Sequence, residues 1–203
     1  MKKGGQGAKG GAYERALTEL FTKAYYPDGD GEFQRVPRSG AWDERIVGGD
    51  IMAFKYAYDG KLLIDQSFPL SVEGKNWRDE NVSHFFTGLY CKEESEFFLW
   101  MAQSVKAAEK TKKMPLVAFK LYRQENVAMM RSEDFWKISQ MFGSFPGPMY
   151  MMAKMQPATE ESSLQVSLVF MLLKDFLEWI DWQTYKLADK TRYIRSILRK
   201  DEG

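Results

Sequence analysis

The sequence predicts an α/β (α+β) protein: a mixed central sheet flanked by helices. Three observations lead there. Apolar residues recur at helical spacing over residues 12–24 and again over 94–110. Around them lie short segments that alternate with period two or stay apolar for the length of a strand. An Asp59-Gly60 pair, a strong hairpin signal, joins two of those segments.

Taken in order, residues 1–11 are Gly- and Lys-rich and read as a flexible basic tail. The first helix carries Tyr13, Leu17, Leu20, Phe21 and Ala24 on one stripe, with Glu14 beside it. Pro27-Asp28-Gly29-Asp30-Gly31 forces a turn. A short strand over 33–36 leads into a loop through Pro37, Arg38, Ser39 and Gly40. Residues 50–58 and 61–65 form the two arms of the Asp59-Gly60 hairpin. Residues 68–75 form the next strand, where period-two geometry sets Glu73 and Lys75 side by side on one face. A helix over 94–110 buries Phe97, Phe98, Met101, Val105 and Ala108, and a strand over 116–122 follows. This divides the chain into a tail (1–11), a core (12–123) and a C-terminal extension (124–203) packed on the core or used in dimerisation.

The extension holds a weak internal echo. Val127-Ala128-Met129-Met130 before Asp134-Phe135-Trp136 resembles Val169-Phe170-Met171-Leu172 before Asp175-Phe176 and Trp179. Each reads as a strand running into a helix. The apolar run over 164–173 also fits the start of a buried helix, and periodicity leaves both open. The Pro-, Gly- and Met-rich stretch over 145–157 reads as a loop or lid.

Composition narrows the function. A chain of 203 residues, 44% hydrophobic and 28% charged, suits one soluble domain with a substantial core. A lone Cys91 rules out an internal disulfide and a Cys-rich zinc site, and suggests a reducing compartment. No stretch is apolar for a membrane span, and the N-terminus lacks the apolar core of a signal peptide. The expected location is the cytoplasm. No Gly-Lys-Ser/Thr phosphate loop is present, so no nucleotide cofactor is expected. The net charge of +1 is distributed unevenly: both ends are basic, with Lys2, Lys3 and Lys9 at one and Lys186, Lys190, Arg192, Arg195, Arg199 and Lys200 at the other.

Four residues carry the chemistry: Glu14 on the first helix, Asp50 at a strand start, and Glu73 and Lys75 near the end of another strand. Asp50 and Glu73 can converge on a hard divalent cation, with the Gly74 carbonyl as a further oxygen and Glu14 bound directly or through water. Lys75 is placed to orient an attacking water and to stabilise charge on a pentacovalent phosphate. Alone, Glu-x-Lys is a frequent chance pattern; its context gives it weight.

Lys9-Gly10-Gly11-Ala12-Tyr13-Glu14-Arg15 resembles the opening of archaeal-type Holliday junction resolvases. Arg35-Val36-Pro37-Arg38-Ser39-Gly40 resembles their Arg-x-Pro-x-Ser-Gly segment, Gly49-Asp50-Ile51-Met52-Ala53 their Pro-Asp strand, and Val72-Glu73-Gly74-Lys75 their Glu-x-Lys strand. The four motifs occur in order across residues 9–123. The resemblance implies a restriction-endonuclease-like PD-(D/E)XK core and Mg²⁺-dependent hydrolysis, with Mn²⁺ as a substitute. It also implies a DNA substrate, a four-way junction by preference, cut by paired nicks that leave 5′-phosphate and 3′-hydroxyl ends, and a homodimer. Glu14, Asp50, Glu73 and Lys75 become the catalytic set, and Asp50, Glu73, Gly74 and Glu14 the metal set. Lys9, Arg15, Arg35, Arg38, Ser39 and Gln103 become DNA contacts. Gly49 in place of proline, a longer span from Asp50 to Glu73 and the unmatched extension fit a phage or mobile-element version, acting in the host cytoplasm. A nuclease of this fold acting on other DNA, or a non-catalytic DNA-binding module, are the alternatives. His84, the sole histidine, has no nucleophile motif beside it.

Overall fold

The computed structural model describes residues 6–36, 49–77, 95–154 and 166–186, with side chains from residue 11 onward and not those of 153, 154 and 166. An eight-stranded mixed sheet organises them. Helix α1 (Gln6–Tyr25) precedes strands β1 (Gly31–Arg35), β2 (Ile51–Tyr56), β3 (Leu62–Ile64) and β4 (Leu70–Asn76). Helix α2 (Glu96–Thr111) leads to β5 (Met114–Lys120) and β6 (Asn126–Arg131), and α3 (Ser132–Phe142) to β7 (Met149–Lys154) and β8 (Val166–Leu172). Helix α4 (Leu173–Trp179) follows β8 directly. The sheet order is β1-β2-β4-β5-β6-β8-β7, with β3 paired to β2. Among the described strands only β4 and β5 run parallel, with α2 between them in the chain; the other pairings are antiparallel.

Period-two alternation sorts the strand residues onto two faces. Leu70, Val72, Leu116, Ala118, Ala128, Met130, Val169 and Met171 face a cluster built with α1, α3 and α4. Val117, Phe119, Met129 and Leu168 face the opposite cluster, under Phe97, Phe98, Trp100 and Met101 of α2. Glu73 and Lys75, out of phase with Val72, therefore point to the α2 side. Beneath α1, Phe21, Tyr25, Phe33, Phe68 and Trp182 meet edge to face or tilted. Such aromatic pairs add stabilisation beyond the area they bury.

The structure differs from the sequence reading in two places and settles an alternative left open in a third. Helix α1 begins at Gln6, so residues 6–11 are its opening turns rather than tail. The stretch read as a loop or lid contains β7, an edge strand paired with β8 from Met149↔Met171 to Lys154↔Val166. Its alternation was masked because both faces of Met149-Tyr150-Met151-Met152 are apolar. The ambiguous run resolves as strand β8, since pairing on both edges with β6 and β7 satisfies its backbone. The echo is real as structure: β6 into α3 and β8 into α4 are two strand–helix units whose strands pair antiparallel, Val127↔Leu172 to Arg131↔Leu168. Strands β6, β7 and β8 thus continue one sheet with the strands that precede them.

Candidate active site

The site forms where β2 and β4 part. They share one bridge, Ile51↔Val72; from Ala53 onward the same edge of β2 pairs instead with Asp65 and β3. Asp50 sits at the fork, pinned on both sides. Its N–H donates to the Val72 carbonyl (2.7 Å) and its carbonyl accepts from the Val36 N–H (2.9 Å). Gly49 makes this crossing possible. Its φ of +85° is left-handed, and a Cβ there would collide with the Val72 backbone. Proline, fixed near φ −65°, could not occupy the position, which accounts for Gly49 standing where the resolvase pattern has proline.

Beyond the fork, β4 is paired among the described residues only with β5, Glu73↔Val117 to Asn76↔Lys120. On its open edge the Asp50 carboxylate replaces a strand partner: Gly74 N–H donates to Asp50 Oδ2 at 2.9 Å. In an extended strand a residue's N–H and C=O point to the same side, so the Gly74 carbonyl also faces this edge. Gly74 also admits α1, since a Cβ there would lie 2.9 Å from Leu17 Cδ1.

On the α2 side, Glu73, Lys75 and Gln103 close a triangle. Lys75 Nζ donates to Glu73 Oε1 and to Gln103 Oε1, both at 2.9 Å, and Gln103 Nε2 donates to Glu73 Oε1 at 3.0 Å. Glu73 is buried at 6% exposure, so these bonds compensate a carboxylate removed from water. On the α1 side Glu14, 5% exposed, is gripped by Arg35 through Nε (2.6 Å) and Nη2 (2.5 Å). Asp50 feels both neighbours. Burial first, then the Glu73 charge and more weakly Glu14, push its carboxyl up to about 6, against the Gly74 hydrogen bond and Lys75.

The four expected catalytic residues, with Gly74 and Gln103, thus converge on one end of β4. Among the described residues no group of three or more His, Cys, Asp or Glu closes as a ready metal cage. Arg35, expected at the phosphate, is turned inward on Glu14. Arg15 is exposed on α1, and Lys9 lies in α1 with its side chain outside the description. Arg38, Ser39, His84, Cys91 and the bases from Lys190 onward fall outside the described residues. Lys186 is folded back over the rings of Tyr25 (4.4 Å) and Tyr26 (4.5 Å), so it serves packing rather than an open basic face. Sequence reasoning missed the Arg35–Glu14 pair: a contact across 21 positions between a helix and a strand leaves no local signal.

A mixed sheet flanked by helices, with Asp50 and Glu73-Gly74-Lys75 gathered at a strand fork, defines a PD-(D/E)XK nuclease. The family model described as "Phage putative PDDEXK endonuclease" matches residues 5–186, and the chain belongs to that family. No curated protein and no solved structure matches it. The match runs through β8 and α4, so the family pattern includes the segment that the resolvase resemblance left unmatched. No helix among the described residues is long and apolar enough to cross a membrane.

Proposed function

We propose that this nuclease is a divalent-metal-dependent endodeoxyribonuclease acting on branched DNA, with four-way junctions as the leading substrate. The observation that carries the chemistry is the Asp50 carboxylate and the Gly74 backbone on the open edge of β4, beside the Glu73–Lys75–Gln103 triangle. The donor set fits a hard cation. Asp50 is held up near 6 by its own burial and by a second carboxylate, a repulsion that Mg²⁺ or Mn²⁺ relieves. Asp50, Glu73 and the Gly74 carbonyl would hold the ion, with Glu14 behind them. A bound divalent cation supplies charge neutralisation at the phosphate and a more acidic water.

The chain's own groups do the rest. Lys75, tied to Glu73 and Gln103, presents a fixed ammonium where negative charge develops on the phosphoryl oxygens. Gln103 orients Lys75 and offers an amide to water or phosphate. Arg35 holds Glu14 in place through a two-nitrogen grip on one carboxylate oxygen. Exposed Arg15, one residue from Glu14, is suited to a DNA phosphate. The preference for junctions rests on the four motifs shared with resolvases. The same reading includes a two-fold dimer, because paired nicks need two sites; the outer edge of β7, exposing Tyr150 and Met151, is its candidate surface.

One gel tests this: a four-way junction, linear duplex, flap and single strand, each with Mg²⁺ or EDTA. Symmetric, Mg²⁺-dependent nicking of the junction supports the reading. Digestion of linear duplex as fast as junction replaces it with a nuclease for unbranched DNA. No cleavage of any substrate refutes it.

A further inference from the structure

Just beyond Lys75, the ends of β4 and β5 frame a cleft of about 380 Å³ whose walls include Tyr13, Asn76, Trp77, Lys120, Tyr122 and Arg123. That volume lies within the ~300–1,000 Å³ of small-ligand sites. The cleft shares a wall with the catalytic cluster. Asn76 follows Lys75, Tyr13 precedes Glu14, and Tyr13 Cδ1 lies 3.8 Å from where a Gly74 Cβ would be. Among the described residues its lining holds aromatic rings and cations and no carboxylate, although acidic side chains crowd the neighbouring site.

The backbone presents these groups deliberately. Gln124 N–H closes a turn onto the Leu121 carbonyl at 3.0 Å. Within that turn Arg123 adopts φ +55°, a left-handed conformation that non-glycine residues rarely take. The turn stacks the Arg123 guanidinium 4.8 Å from the centre of the Tyr122 ring, and both residues line the cleft. In the wall, the Tyr13 hydroxyl is buried and has no hydrogen-bond partner among the described residues.

We propose that this cleft holds an unpaired nucleobase beside the scissile phosphate, so that the preferred substrate carries an extrahelical or single-stranded nucleotide at the cut. This rests on the nuclease reading above and deepens it. Rings of Trp77 and Tyr122 supply stacking faces, Asn76 supplies an amide for a base edge, and Lys120 and Arg123 neutralise the adjoining phosphates. A regular duplex buries its bases and has nothing to insert; flaps and bulges do, and a four-way junction does once a base pair at the branch point opens.

The test uses two labelled hairpin duplexes that differ only by one extrahelical nucleotide, with binding followed by fluorescence anisotropy in EDTA before Mg²⁺ starts cleavage. The full chain should bind the bulged hairpin more tightly. Tyr122→Ala should lose about tenfold on the bulged DNA, the scale of one base–aromatic stack, and nothing on the perfect duplex. Tyr122→Phe should keep the preference. Equal affinity of the wild type for both hairpins, or equal losses by Tyr122→Ala on both, overturns the pocket. A bulge preference without cleavage of either hairpin overturns the nuclease reading and leaves the pocket standing.

Discussion

Replacing Asp50 with asparagine should destroy cleavage and yet make the metal-free protein more stable. The carboxyl is shifted from 3.8 to about 6, by burial and by the charges of Glu73 and Glu14. A shift of roughly two units means that ionised Asp50 costs the folded state about 3 kcal/mol at neutral pH. Asparagine keeps an acceptor oxygen for the Gly74 N–H and removes the repelled charge. At pH 8 in EDTA, Asp50→Asn should therefore gain about 2–3 kcal/mol, or roughly 5–10 °C in Tm for a chain of this size. The folded pKa lies above the unfolded one, so the folded state binds the proton more tightly. Wild-type stability should rise relative to the variant as pH falls from about 6 towards 4, and the gap should close there. Mg²⁺ should raise the Tm of the wild type and leave the variant nearly unmoved. Urea and thermal unfolding at pH 4 and 8, with EDTA or Mg²⁺, measure all of this. A variant no more stable than wild type at pH 8 in EDTA, or a gap that persists at pH 4, would refute the reasoning.

Three further outcomes are expected. Lys75→Ala should lower kcat by two or more orders of magnitude with little change in DNA affinity, because its charge is needed most in the transition state; equal losses in both would mark a plain phosphate anchor. Gly49→Ala should destabilise the protein by about 2 kcal/mol or more and abolish activity, through its φ of +85° and the collision with Val72; near wild-type melting would show that the crossing tolerates a side chain. Arg35→Ala should destabilise by about 2 kcal/mol by stripping buried Glu14 of its guanidinium, with Arg35→Ala/Glu14→Gln less destabilised than the sum of the single changes in urea unfolding.

The sequence by itself determined the local grammar. Helical spacing in α1 and α2, the Asp59-Gly60 hairpin and the period-two phase of Glu73 and Lys75 follow from side-chain direction and turn chemistry, which act within a few residues. The order of the motifs marked Asp50, Glu73 and Lys75 as one set, and the structure brings them together. Tertiary structure alone decided what depends on distant partners. Residues 149–154 became a strand because β8 was there to pair with them, and no alternating pattern announced it. Arg35 turned onto Glu14 rather than outward because α1 packs across β1, an event invisible in either segment. The raised proton affinity of Asp50 arises from burial at a strand fork beside Glu73, 23 residues away in the chain. Electrostatics and sheet pairing act through space, and one-dimensional order does not record which surfaces come to share it.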